Sequence, residues 1–332
     1  MLLNKRELEK LIIASSIYGT GGGISVDEQL NSLNKLNDNI QIKIKTLSEF
    51  DENSYIAQVG EIGPASAPEI EKEHIIKEMV YSIEKLTDKK IVGFYAPEIG
   101  QEIVSIKSSY YSNIPLVDFE SAGFRAVPYI DACVFNVLEI PHNFAPAAIS
   151  TFQREIFLFN SKISFERTEE IVREITNISE HNIVFSISDI VRVGDIKKYN
   201  IDIQPYKKIM DISDMNFSDF IKNEKIKNIF QIKIDDIDEY DKNGFNVKVV
   251  YSGDIAITFM NEAMFIKSND KLLYSVPDRI LLIRNDKMQG IHIKEIVKGM
   301  ELCVVVIEPI DYWNTARGKQ ILGYDRIIST LT

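Results

Sequence analysis

The feature that most narrows what this chain can fold into is the alternation of strand and helix signals between Ile42 and Asp118. Ile42–Thr46 and Tyr55–Val59 read as strands, Ala67–Leu86 as a helix, Ile91–Tyr95 as a strand, Gln101–Tyr111 as a helix and Pro115–Asp118 as a short strand. Strands that alternate with helices predict an α/β unit, a mostly parallel sheet covered by helices. After about Asn160 the texture changes. Helical patterns remain at Thr168–Ile178 and Phe217–Lys225, but strands dominate: Ile183–Ile187, Ile229–Ile234, Phe245–Tyr251, Ile255–Met260, Ala263–Lys267, Arg279–Ile283 and Leu302–Ile307. Asn-Asp, Lys-Asn-Gly and Ser-Gly-Asp turn signals separate some of them, which predicts a β-rich second unit, a barrel or sandwich with one or two helices. The expected units are therefore 1–160 and 161–332, consistent with a length that exceeds what one hydrophobic core serves.

The formal net charge of -11 repels phosphate backbones and anionic headgroups, so neither nucleic acid nor a membrane surface is an expected partner. The apolar run Leu11–Ala14 is too short for a signal-peptide core, and no apolar stretch approaches a membrane span. A cytoplasmic location is the expectation. Two subunits are expected only because symmetric dimers are the commonest oligomers.

Between the helical patterns Lys5–Tyr18 and Val26–Leu36 lies Gly19-Thr20-Gly21-Gly22-Gly23. It lets the backbone adopt positive φ and approach another group closely, and its amides can face an anion at the start of the second helix. The loop lacks the Lys-Ser/Thr of a phosphate loop and follows no strand, so a plain connecting turn is the competing reading.

Carboxylates at strand ends form the second candidate. Ile91–Tyr95 runs into Pro97-Glu98, and Pro115–Val117 into Asp118-Phe119-Glu120, where open parallel sheets hold ligands. Glu98, Asp118 and Glu120 at one edge can bind a divalent cation, or one can serve as general base with its pKa raised by the others. The alternative is that they cap helices and loops. Arg125 can pair with them or clamp a substrate carboxylate. In the second half Asn261-Glu262 and Pro277-Asp278 sit at strand edges, where a turn is the competing reading. His74, His142, His181 and His292 show no ligand spacing and read as surface or satisfied structural histidines. Cys133 and Cys303 lie in apolar runs that predict inert, reduced thiols, so no covalent intermediate is expected. Trp313 is expected to pack between the units.

The order of these motifs resembles the S-methyl thiohydantoin desulfurase-like family. The resemblance rests on Gly19-Thr20-Gly21-Gly22-Gly23, Val59-Gly60 with Gly63-Pro64, Pro97-Glu98-Ile99-Gly100, and Pro115-Leu116-Val117-Asp118 with Gly123, Arg125, Ala126 and Pro128. It continues through Asn261-Glu262, Val276-Pro277-Asp278-Arg279-Ile280, Gly299, Trp313-Asn314-Thr315 and Gly323-Tyr324-Asp325. Ile24 stands where the family has a fourth glycine, and Gln101-Glu102-Ile103 where it has Gly-X-Asn. The segment before Gly123-Phe124-Arg125 also departs from the family's Asp-X-Asp.

The resemblance implies a hydrolytic enzyme on a hydantoin-type or S-methylated thiohydantoin-type small molecule, and a hydantoinase-type enzyme as a partner. By this analogy water attacks the ring carbon bearing sulfur and methanethiol leaves. A carboxylate among Glu98, Asp118 and Glu120 activates the water directly or through a divalent metal. The amides of Gly19, Thr20, Gly21, Gly22 and Gly23 hold an oxygen, and Arg125, Asn261, Glu262 and Asp278 bind the substrate. The competing class is a non-catalytic binding or accessory protein, motivated by the altered Gly100–Ile103 segment.

Overall fold

The structure is a computed structural model that describes residues 1–65, 67–199, 201, 203–242, 245–284 and 286–332. The chain opens with β1 (Leu2–Asn4), α1 (Lys5–Ser15), α2 (Val26–Asn34) and β2 (Gln41–Lys45). The expected alternation follows as β3 (Tyr55–Ile62), α3 (Ile76–Thr87), β4 (Ile91–Ala96), α4 (Glu102–Ser112) and β5 (Leu116–Glu120). Next come α5 (Val134–Val137), β6 (Ala147–Thr151), β7 (Ile156–Phe159), α6 (Phe165–Ile178) and β8 (Val184–Arg192). These eight strands form one sheet in the order β1-β2-β5-β4-β3-β8-β6-β7. Its centre, β2-β5-β4-β3, is parallel, and antiparallel strands extend it on both sides.

Three helices, α7 (Val193–Lys198), α8 (Pro205–Ile212) and α9 (Phe217–Asn223), lead into the strand-rich half. It contains β9 (Ile226–Lys233), β10 (Asp236–Lys242), β11 (Phe245–Ser252), β12 (Ile255–Met260), β13 (Glu262–Ser268), β14 (Lys271–Ser275), β15 (Arg279–Arg284) and β16 (Glu301–Ile307), then α10 (Ala316–Ile321) and α11 (Tyr324–Leu331). A five-stranded antiparallel meander, β10 to β14, faces a three-stranded sheet ordered β15-β16-β9. Asn269 and Asp270 turn one hairpin with positive φ, as Asn and Asp tolerate, and Gly253 turns another. In the expected Lys242-Asn243-Gly244 turn, Asn243 and Gly244 lie outside the described residues.

The three-stranded sheet is apolar on both faces because both are covered. Ile280, Leu282, Leu302, Val304 and Val306 pack into the sandwich with Ile257 and Phe259. Their neighbours Leu281, Ile283, Cys303, Val305 and Ile307 join the core around Leu8, Leu11 and Ile12 of α1. An α/β unit is thus followed by a β-rich one, and the two share a core. None of the helices among the described residues is long and apolar enough to cross a membrane.

Two expectations change. The strand expected at Ile183–Ile187 in the second unit pairs into the first sheet as β8, between β3 and β6, so that sheet draws strands from both sides of residue 160. The helix expected from Ala67 begins only at Ile76. Lys72 is fully buried, with its Nζ 2.6 Å from Glu61, 3.1 Å from Glu69 and 2.7 Å from the Ile70 carbonyl. That cluster, with the Ile70 amide on Glu61, holds the segment out of helical geometry.

The glycine loop locks the halves together through its carbonyls. Thr20 O accepts the Ala263 amide and Gly21 O the Ile293 amide, both at 2.8 Å, and Gly23 O lies 3.1 Å from His292 Nε2. The Ile24 amide donates to Gly100 O at 2.9 Å, and a Cβ on Gly23 would fall 2.3 Å from that oxygen. Gly23 also has φ +76°. Gly23→Ala is therefore expected to destabilise the fold by about 3 kcal/mol or more, while Gly253→Ala, with φ +56° but open space, costs about 1 kcal/mol. Urea unfolding of both variants checks this; equal losses would show that the close approach contributes nothing.

Candidate active site

The carboxyl ends of β3, β4 and β5 open onto a cleft of about 950 Å³, mouth included. Its walls include Gly60 to Ala65, Pro97, Glu98, Gln101 and Ser121 from the first sheet, Gly23 and Ile24 from the loop, and Asn261 and Glu262 from the second half. That is the sheet edge where ligands bind in open α/β folds, closed here by a hairpin from the other unit.

Glu98 sits just beyond β4. Its Oε1 accepts from Gln101 Nε2 at 2.7 Å and its Oε2 from the Val127 amide at 2.7 Å. Burial raises its carboxyl to about 7, against those two hydrogen bonds. Gln101, at a departure from the family motif, also accepts the Glu61 amide at 2.9 Å and so fixes Glu98 to β3.

Glu262 enters from β13 beside the Gly22 backbone, where a Cβ would meet its Cγ at 2.5 Å. Burial, then the charge of Glu98, pushes its carboxyl far above the usual range, with Arg125 opposing. Its Oε2 is buried with no hydrogen-bond partner. Such a group costs about 1–3 kcal/mol, and here it belongs to a residue that lines the cleft.

The remaining expected residues separate. Asp118 accepts the Tyr206 amide at 2.9 Å at the start of α8; burial raises it to about 6 against that bond. Glu120 is saturated by the amides of Ala122, Gly123 and Phe124 at 2.6–2.9 Å, which shape the turn where Trp313 Nε1 donates to Ala122 O. Burial raises Glu120 to about 7 against its three amides. Neither lines the cleft, and both act as caps, the alternative the sequence left open. Arg125 is fully buried, donating to Pro277 O at 2.8 Å; burial lowers it to about 10 and the charge of Glu262 opposes that. It is a countercharge outside the cleft lining. Asp278 pairs with Lys227 at 2.6 Å outside the cleft. Asn261, with φ +61°, lines it. Of Gly19–Gly23 only Gly23 does, and the Gly19 and Gly22 amides donate to Ser16 O and Gly19 O. Among the described residues no three His, Cys, Asp or Glu side chains converge as a metal-ligand group.

Other lining residues were not expected. Gln58 Nε2 donates to Ser121 Oγ at 3.1 Å, and Arg173 brings a cation held 2.8 Å from Glu169. Cys133 lines the cleft too, at the N-terminal boundary of α5 rather than inside a strand, whereas Cys303 lies in β16. Behind Cys133 stand His142 and Asp189, discussed below.

A family model described as "S-Me-THD-like, N-terminal domain" matches residues 6–161, and its C-terminal counterpart matches residues 170–326. The chain belongs to the S-Me-THD-like family. The crystal structure of a protein from Chromobacterium violaceum has the same fold, with a TM-score of 0.73 at 13% identity over 99% of this chain and 97% of that one. No curated protein matches.

Glu98 has its folded pKa raised above the unfolded 4.5, so its contribution to stability is full below about 4.5 and is lost as pH rises through about 7. Glu98→Gln lacks that loss. Thermal melts between pH 5 and 8 should shift in favour of the variant as pH rises, by about 2–3 kcal/mol. A constant difference would mean that Glu98 ionises normally.

Proposed function

We propose that the protein is a hydrolytic enzyme for a hydantoin-type or S-methylated thiohydantoin-type ring, with Glu98 and Glu262 as its proton-transfer pair. The observation that supports this most is the unpartnered carboxyl oxygen of Glu262, buried in the wall of a cleft that also holds Glu98. Burial raises both carboxyls and the charge of Glu98 raises Glu262 further, which favours one proton on the pair near neutral pH with Glu262 as its holder. Protonated Glu262 then donates to a ring nitrogen, which makes the adjacent sulfur-bearing carbon more electrophilic. Ionised Glu98 takes a proton from water in the hydrolytic step. The carbon gains oxygen, the C–S bond breaks, and the sulfur leaves as methanethiol with one proton. Water and the S-methylated ring thus become a hydantoin and a thiol. Arg173 supplies a cation for a ring oxygen or a substituent carboxylate.

The test is thiol release from an S-methylated thiohydantoin, followed with a thiol-reactive dye. Glu98→Gln and Glu262→Gln are each expected to lower kcat/KM by about 100-fold or more. Wild-type kcat/KM should fall tenfold per pH unit below about 7, since the base must be ionised. Full turnover by both variants overturns the assignment. Binding without turnover by the wild type would favour the non-catalytic class.

A further inference from the structure

We propose that Cys133 is a nucleophile, activated as a thiolate by His142 and Asp189, and that the hydrolysis runs through a covalent enzyme–ring intermediate. This deepens the hydrolase reading and takes its substrate class from it.

Cys133 in the cleft wall meets His142, nine residues on, and Asp189, 47 residues further, directly behind it. Cys133 Sγ lies 3.7 Å from His142 Nε2, and His142 Nδ1 lies 3.1 Å from both carboxyl oxygens of Asp189. Asn136 decides the protonation state. Its Nδ2 donates to the Asp131 carbonyl at 2.8 Å, which turns its Oδ1 toward His142 Nε2 at 3.1 Å. Each ring nitrogen therefore faces an oxygen acceptor, and both are satisfied only when both carry a proton. An imidazolium beside a thiol favours the thiolate, the reactive form. Burial disfavours the charge on His142, but Asp189 and then Cys133 outweigh it and raise the ring to about 11.

The supporting shell is rigid. His142 lies between Phe135 and Phe165, with ring centroids 5.1 and 5.0 Å away. Asp189 adopts φ +45° at a bulge of β8, where two residues oppose Ala57 of β3. Its carbonyl accepts Tyr95 Oη at 2.9 Å and its amide donates to Phe144 O at 3.1 Å. A strained aspartate held this way turns its side chain to one purpose, orienting His142.

The steps balance. The Cys133 thiolate adds to the sulfur-bearing carbon, the C–SCH3 bond breaks, and His142 gives methanethiolate its proton. Glu98 then takes a proton from the water that adds to the carbon, the Cys133 thiolate departs to leave the hydantoin, and that proton returns to His142.

Two measurements test this. Iodoacetamide at pH 6, read by peptide mass, should label Cys133 roughly 10- to 100-fold faster in the wild type than in His142→Gln, with Cys303 slower still. Acid-quenched wild type turning over an S-methylated thiohydantoin should carry the ring mass less methanethiol, and Cys133→Ala, a one-atom deletion whose fold a thermal melt checks, should carry none. Turnover by Cys133→Ala that still requires Glu98 overturns the nucleophile and leaves the hydrolase standing. Rapid His142-dependent labelling without turnover of any such ring overturns the substrate reading and leaves the nucleophile. Labelling of Cys133 no faster than of a free thiol overturns the thiolate.

Discussion

The cleft depends on one contact that only backbone can make, the seating of Gly23 against Gly100. The Ile24 amide reaches Gly100 O at 2.9 Å with Gly23 packed directly on the Gly100 backbone. With no Cβ in the way, the loop drops onto the end of β4, and its outward carbonyls reach β13 and the Ile291–Ile293 segment. Gly22 then meets Glu262, so the glycine run positions the carboxyl that the second half contributes. The loop acts by letting another group approach, more than by offering amides of its own.

Charge is distributed around the cleft so that the carboxyls stay poised. Arg125 lies outside the lining and tempers Glu262 without a direct bond, and its own Nη2 is left unpartnered. A bidentate ion pair would have fixed Glu262 as a carboxylate and removed its capacity to donate. On another wall Glu61, tied to Lys72, holds the Ile70 amide next to the lining residues Gly63, Pro64 and Ala65. The net negative charge of the chain is thus irrelevant to the cleft, where buried partners decide each group's state.

Much of this was legible. The alternation from Ile42 to Asp118 carried the parallel centre of the sheet, and Glu98, Gly23 and Asn261-Glu262 were found from motif order and do meet in one cleft. For Asp118 and Glu120 the sequence leaves a cap and a chemical role side by side, because it shows a carboxylate but not its donors. Glu120 closes a turn over its next four residues, a local pattern that Gly123 hinted at. Cys133 reads as inert from its apolar neighbours, one of which, Phe135, packs against His142. Nothing in the spacing of Cys133, His142 and Asp189 marks them, since β8 arrives from beyond the expected boundary and only its bulge turns Asp189 inward.

Some of the backbone strain lies beside these groups. Asp189 and Asn261 have left-handed backbones in or beside strands, and Thr20 and Phe124 adopt positive φ despite bulky side chains. Each serves a neighbour: Asp189 orients His142, Asn261 precedes Glu262, Thr20 receives Ala263, and Phe124 closes the turn on Glu120. Asp189 lies in the first sheet and Asn261 between two strands of the second-half meander, and Cys133 and Glu262 beside them line one cleft, so local preference is overridden in both halves next to the same cavity.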